Sequence, residues 1–156
     1  MAKLVLHIGA HKTGTSYLQS LFYHNHELLR SHGVFYPKTG PNLAHHALAA
    51  VWIPVSDVPE RFFGAAGPVG LWDKLIAEYA PLDGTVFLSA ENFSRSAPKV
   101  VDMADLAKRL APFESVQVVY TLRAQTEMIT SLWVQVAKSR KAPSLHSYVD
   151  KALNQG

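Results

Sequence analysis

The chain contains no cysteine. Disulfides, thiolate nucleophiles and cysteine-ligated zinc are therefore excluded, and the composition is compatible with a reducing compartment. Charge is also scarce. Asp, Glu, Lys and Arg make up 17% of the 156 residues, against 48% apolar. That balance suits a packed core and argues against disorder. No apolar run approaches the roughly 20 residues of a membrane span. The N-terminal run is short, is broken by His7 and leads straight into a glycine-framed loop. It lacks the apolar stretch of a signal peptide. From these absences we expect a soluble, cytoplasmic protein with no membrane contact. The net charge of +3 suits a small anion and is too diffuse for nucleic acid. Lys138-Ser139-Arg140-Lys141 is the one basic cluster, and a solvated helix end explains it. There is no internal repeat, and the length fits a single domain over 1–156.

Strand and helix patterns alternate along the chain. Leu4 to Ile8 is apolar on both faces, as a buried parallel strand is. A helix follows Gly14, with Leu18, Leu21, Phe22, Leu28 and Leu29 near helical spacing, and Gly33 stops it. Val34 to Tyr36, Thr85 to Ala90 and Val116 to Leu122 read as further strands. Helices are expected over 42–52, 69–79, 99–110 and 125–139, with a last one opened by Pro143. The Pro- and Gly-rich stretch 54–68 reads as a loop with a short helix. The alternation predicts an α/β fold with a parallel sheet and right-handed crossovers. Ligands of such sheets bind at the carboxyl ends of the strands. Three polar sets fall there: His11 to Ser16, Glu91-Asn92, and Arg123.

In the first set, Gly9 and Gly14 have the spacing of the ATP/GTP loop, and Ser16 stands where its hydroxyl belongs. Thr15 occupies the lysine slot, and the lysine lies inside the loop as Lys12. Gly9 would permit a tight turn and Gly14 a close backbone approach to an anion. Thr15 and Ser16 add hydroxyls, and Lys12 adds a point charge. The bland alternative is a strand-to-helix connection with a capping threonine. Arg123 ends the last strand, and Glu127, Ser131, Gln135 and Lys138 form a polar stripe on the helix after it. Ser131 lies roughly 12 Å along the axis from Arg123, and its side chain tilts back toward it. A surface stripe with Arg123 held by Glu127 is the alternative.

Lys12-Thr13-Gly14-Thr15-Ser16 after an apolar strand resembles the 5′-phosphosulfate loop of sulfotransferases. Leu122-Arg123-Ala124-Gln125 with Ser131 resembles that family's 3′-phosphate motif, with the same spacing from arginine to serine. The likeness covers most of the chain and is to bacterial members acting on carbohydrate-like or unassigned acceptors. It implies a three-layer, P-loop NTPase-like architecture around a central parallel sheet. It also implies the donor 3′-phosphoadenosine 5′-phosphosulfate, and a small-molecule or carbohydrate acceptor. The 5′-phosphosulfate is assigned to Lys12, Thr13, Gly14, Thr15 and Ser16, with His11 beside them. The 3′-phosphate is assigned to Arg123 and Ser131.

Lys12 would then stabilise charge on the bridging oxygen as the bisphosphate leaves. Glu91 resembles the base of carbohydrate and protein-tyrosine sulfotransferases, and a modestly raised pKa would suit it to that task. Capping the next segment or pairing with Arg95 is its alternative role. His45 and His46 are placed at the acceptor, His46 being the next choice of base. Adjacent or next-but-one histidines on a helix do not share a face, so no metal site is expected. His7 reads as a satisfied core residue. Trp52, Trp72 and Trp133 are possible adenine platforms, with core packing the alternative. Relatives usually continue beyond the serine helix, so the family's C-terminal part is expected to be missing here. Two other classes stay open: a P-loop nucleotide or small-molecule kinase, and an inactive nucleotide-binding module.

Overall fold

Leu4 and Leu6 alternate along the first apolar run, and both are buried. That run is strand β1 (Lys3–His7). The computed structural model describes residues 1–10, 13–95, 99–139 and 141–154. These form two compact units, Met1–Thr121 and Leu122–Gly156.

In the first unit, β1 leads to helices α1 (Thr15–His24) and α2 (His26–Ser31) and then to strand β2 (Val34–Phe35). Helix α3 (Gly67–Tyr79), strand β3 (Thr85–Ser89), helix α4 (Met103–Leu110) and strand β4 (Ser115–Val119) follow. The four strands form one sheet in the order β2-β3-β1-β4, and every pairing is parallel. The sequence expectation of a parallel α/β sheet therefore holds. The register pairs His7 with Ser89 on one side and with Val119 on the other. Three carboxyl ends thus open on one edge, with β1 in the middle. Pairing continues briefly past the strand ends, since Ile8 N–H donates to Val119 O and Ala90 N–H to His7 O. Leu4, Leu6, Val86 and Leu88 of the sheet share a core with Leu48, Trp72, Phe93, Leu106 and Leu110.

Some expected helices are shorter than their apolar patterns suggest. The first is split at Asn25, whose N–H makes the last helical bond to Leu21 O and whose side-chain amide folds back onto the same carbonyl. The side-chain bond is of the local kind that competes with helical continuation. Of the helix expected over 42–52, only a 3-10 helix at His46–Val51 forms. His45, just before it, is pinned to the sheet. Its N–H donates to Ser89 O, and its Nδ1 accepts from Ser89 N–H at 2.9 Å. Helix α4 starts at Met103 because Asp102 caps it, accepting from Ala104 and Asp105 N–H.

His45 is 1% exposed, and its Nε2 bonds Pro37 O at 2.8 Å. Burial outweighs the bonds to Ser89 and Pro37 and lowers its pKa to about 4. The unfolded chain therefore binds the proton more readily than the folded one between the ordinary 6.5 and 4. The His45 contribution to stability is full above pH 6.5 and falls by about 3 kcal/mol as pH drops to 4. Urea unfolding of the wild type across that range checks this. A flat profile would refute it, and His45→Gln is expected to flatten the slope even where it lowers stability overall.

The second unit holds helices α5 (Gln125–Ser139) and α6 (Leu145–Leu153). The Trp133 indole N–H donates to Pro143 O between them, and the Ser144 hydroxyl caps α6 by accepting from Ser147 N–H. Among the described residues, no helix is long and apolar enough to cross a membrane.

Candidate functional site

Because β1 is central, its last residue reaches both neighbours. His7 is buried, with Nδ1 2.9 Å from Ser89 Oγ and Nε2 2.7 Å from Thr121 Oγ1. Gly9 lies over that ring. A Cβ there would stand 2.8 Å from His7 Cε1 and 3.0 Å from Thr15 Cγ2. Gly14 takes a left-handed φ of 84° as the N-cap of α1, with open space around it. Gly9, expected at a tight turn, thus makes room for the His7 ring, and Gly14 makes the left-handed turn. With glycine as N-cap, no side chain caps α1. Its first-turn N–H groups and positive dipole end are turned toward the loop. Thr13 Oγ1 ties the loop by donating to Ala10 O at 2.7 Å. His11 and Lys12 lie outside the described residues.

The ring under Gly9 is held at both nitrogens and has no room to swing away. Gly9→Ala is therefore expected to cost about 1–3 kcal/mol through overpacking. Chemical denaturation checks this, and an unchanged midpoint would contradict the close approach.

Glu91 opens a 3-10 helix (Glu91–Ser94) two residues after β3 and is buried. Thr15 Oγ1 donates to its Oε1. His46 Nε2 lies 3.1 Å from Oε2, and Gln19 Nε2 lies 3.4 Å from the same atom. Gln19 also donates to Ser89 Oγ at 3.1 Å. Beyond His46, its Nδ1 meets Asp57 Oδ2 at 2.8 Å, and Asn42 Nδ2 donates to that oxygen at 2.6 Å. A continuous polar chain thus runs Asn42–Asp57–His46–Glu91–Thr15. It joins the loop 54–58, the 3-10 helix at 46–51, the end of β3 and the start of α1. Ser94 Oγ fastens the Glu91 helix to the glycine loop by donating to Gly9 O at 3.2 Å.

Burial opposes charge on Glu91, but hydrogen bonds from His46 and Thr15 outweigh it and hold the carboxyl at about 2. Burial also opposes charge on His46, and Glu91 and Asp57 outweigh it and hold the imidazole above its ordinary 6.5. Below the raised pKa of His46 the pair is a carboxylate facing an imidazolium. The modest upward shift expected for Glu91 is corrected to a downward one, because the sequence does not place His46 and Thr15 on its oxygens.

Of the loop residues, Thr15 thus meets Glu91, which His46 holds from its other oxygen, while Thr13 is tied to Ala10 and Ser16 is exposed. His45 is buried, with both ring nitrogens on backbone, so it positions the 46–51 helix. Trp72 is fully buried, its indole N–H donating to Leu48 O, and Trp52 packs edge-on against it. Gln19, Ser89, Asp57, Asn42 and Thr121 join the site without having been singled out. Gln19 carried a signal, being one helical turn from Thr15 on the same face. Asp57, in a Pro-rich loop, carried none.

Within the second unit, Arg123 and Ser131 line one shallow depression of about 410 Å³ with Thr126, Glu127 and Thr130. Arg123 Nε donates to Glu127 Oε2 at 2.9 Å. The arginine–serine proximity and the competing Glu127 contact are both present. Among the described residues, no group of three or more His, Asp or Glu is arranged to hold a metal ion.

No family model, curated protein or solved structure matches the chain. What the fold and site define is an α/β protein with an all-parallel four-stranded sheet and a buried carboxylate–imidazole pair beside a glycine loop.

Proposed function

We propose that this chain transfers a sulfuryl group from 3′-phosphoadenosine 5′-phosphosulfate to a hydroxyl, or an amine, of a small-molecule or carbohydrate acceptor, on a P-loop-like sulfotransferase architecture. The observation that carries this is the contact between Thr15, at the start of α1, and Glu91, at the end of β3. It supports a reading in which Glu91 is a proton acceptor beside an anion-binding loop. The loop suits phosphate: Gly14 leaves open space at an uncapped helix start. Bound there, the donor supplies the activated sulfuryl group and its bisphosphate leaving group.

The chain's own residues would then divide the work. His11, Thr13, Gly14, Thr15 and Ser16 hold the phosphosulfate, and Lys12 neutralises the oxygen that leaves sulfur. Glu91 takes the proton from the acceptor hydroxyl as that oxygen bonds to sulfur and the bridging S–O bond breaks. Thr15 links the two tasks, because a hydroxyl turned to donate to phosphate releases Glu91 Oε1 for the acceptor and removes one of the two side-chain hydrogen bonds that hold the carboxyl low, making it a stronger base. His46, held by Asp57, keeps the other carboxylate oxygen in place. In the second unit, Arg123 and Ser131 are given the 3′-phosphate. Exposed ion pairs such as Arg123–Glu127 contribute only about 0–1 kcal/mol, so an anion can displace Glu127 at little cost.

The test is transfer from the sulfuryl donor to a panel of sugars, phenols and aliphatic alcohols, followed by mass spectrometry. A sulfated product without added magnesium supports the proposal. Magnesium-dependent phosphoryl transfer from ATP would support a kinase instead. Donor binding with no transfer across the panel would leave an inactive nucleotide-binding module.

A further inference from the structure

His46 sits between two carboxylates. Its Nδ1 is 2.8 Å from Asp57 Oδ2, and its Nε2 is 3.1 Å from Glu91 Oε2. Only the imidazolium, with a proton on each nitrogen, donates to both. When the ring loses one proton, one carboxylate goes without. The surroundings decide which. The Asp57 contact is the shorter, and Asn42 Nδ2 donates to the same Asp57 oxygen at 2.6 Å, which fixes that oxygen toward the ring. Glu91 has other donors, with Thr15 on Oε1 and Gln19 Nε2 3.4 Å from Oε2. The remaining proton therefore stays on Nδ1, and Nε2 turns a lone pair to Glu91.

That placement changes Glu91. The hydrogen bond and the charge of His46 both hold its carboxyl low, so losing them makes it a stronger base. The other described groups that feel the charge of this pair are His7, Tyr36 and His45. All three are neutral near neutral pH, because burial lowers the two histidines and raises the tyrosine. Thr15, Gln19 and Asn42 carry no charge. Among these described groups, the charge that changes above pH 6.5 is that of His46.

We propose that Asp57 is a positioning residue of the transfer step: it keeps the one proton of neutral His46 on Nδ1, which bares Nε2 and frees Glu91 to take the acceptor's proton. That proton moves from the acceptor oxygen to Glu91 Oε1, which Thr15 vacates. The oxygen's electron pair bonds to sulfur, and the bridging S–O bond breaks toward the bisphosphate. The inference rests on the sulfuryl-transfer proposal and supplies its pH dependence. Transfer is slow while His46 is an imidazolium and speeds up as pH rises through the ring's titration, which lies above 6.5.

The test pairs nitrogen NMR of the His46 ring with kcat–pH profiles of the wild type, Asp57→Asn and Asp57→Ala. In the wild type the neutral ring is expected to carry its proton on Nδ1, and kcat to rise at the pH where the ring titrates. Asp57→Asn keeps an oxygen for Nδ1, because Asn42 and His46 both donate to that position. Its ring titration and its rise in kcat are expected to move down together by about one pH unit. Asp57→Ala leaves nothing to accept from Nδ1. Its ring proton is expected on Nε2, and its kcat plateau about tenfold below that of Asp57→Asn. Both variants are expected to bind adenosine 3′,5′-bisphosphate as the wild type does. A proton on Nε2 in the neutral wild type, a rise in kcat that stays while the ring titration moves, or equal plateaus for the two variants would overturn the inference. Lost bisphosphate affinity in both variants would overturn it too, making Asp57 a structural contact. If the wild type forms no sulfated product, the sulfuryl-transfer proposal fails and the role of Asp57 with it. The ring spectra still locate the proton, so the two failures are told apart.

Discussion

Replacing Glu91 with glutamine is expected to lower kcat for sulfuryl transfer by about 10²–10⁴-fold, the range for loss of a general base. Affinity for adenosine 3′,5′-bisphosphate should stay close to wild type. The amide keeps the shape and can still accept from Thr15, so the anion loop and the start of α1 retain their support. What is lost is the charge that takes the acceptor's proton. The same change has a spectroscopic consequence. Glu91 is one of two carboxylates that hold His46 above its ordinary pKa, with Asp57 the other. In Glu91→Gln the His46 imidazole is expected to titrate at lower pH, which NMR of the ring protons would follow. Near-wild-type kcat would remove Glu91 from catalysis and leave His46 as the base.

Lys12→Ala carries the second large effect. A loop lysine beside the bridging oxygen gains most as the bisphosphate leaves, because charge on that oxygen grows only then. Removing such a contact is expected to cut kcat by about 10²–10³-fold. Bisphosphate binding should weaken far less, since the α1 N-terminus and the hydroxyls of Thr15 and Ser16 remain. Single-turnover kinetics beside calorimetry separates the two. Equal small losses in both would make Lys12 an ordinary phosphate contact.

The parallel sheet was legible because its strands are short apolar runs, such as Leu4 to Ile8 and Thr85 to Ala90, separated by helical patterns. The placing of the glycine loop and Glu91 on one edge follows from the same rule, since parallel strands end together. The core role of His7 was legible from the apolar run around it, and the structure gives it Ser89 and Thr121 as partners. The polar chain was not legible. Asp57 is 11 residues from His46 and meets it only through a loop that Asn42 also holds. His45 and His46 look equivalent in sequence, yet the 3-10 turn sends one into the core and the other onto Glu91. The direction of the Glu91 shift was missed for the same reason, because it depends on two side chains, His46 and Thr15, from two other segments. The reason for Gly9 was not legible, because spacing alone does not say whether a glycine turns the chain or makes room for a ring such as His7.

The most direct measurement is calorimetry of the wild-type chain against adenosine 3′,5′-bisphosphate and, separately, against ATP with magnesium. Saturable binding of the bisphosphate, with ATP much weaker, is the result expected of a sulfuryl-transfer site. Magnesium-dependent ATP binding with no affinity for the bisphosphate would contradict it.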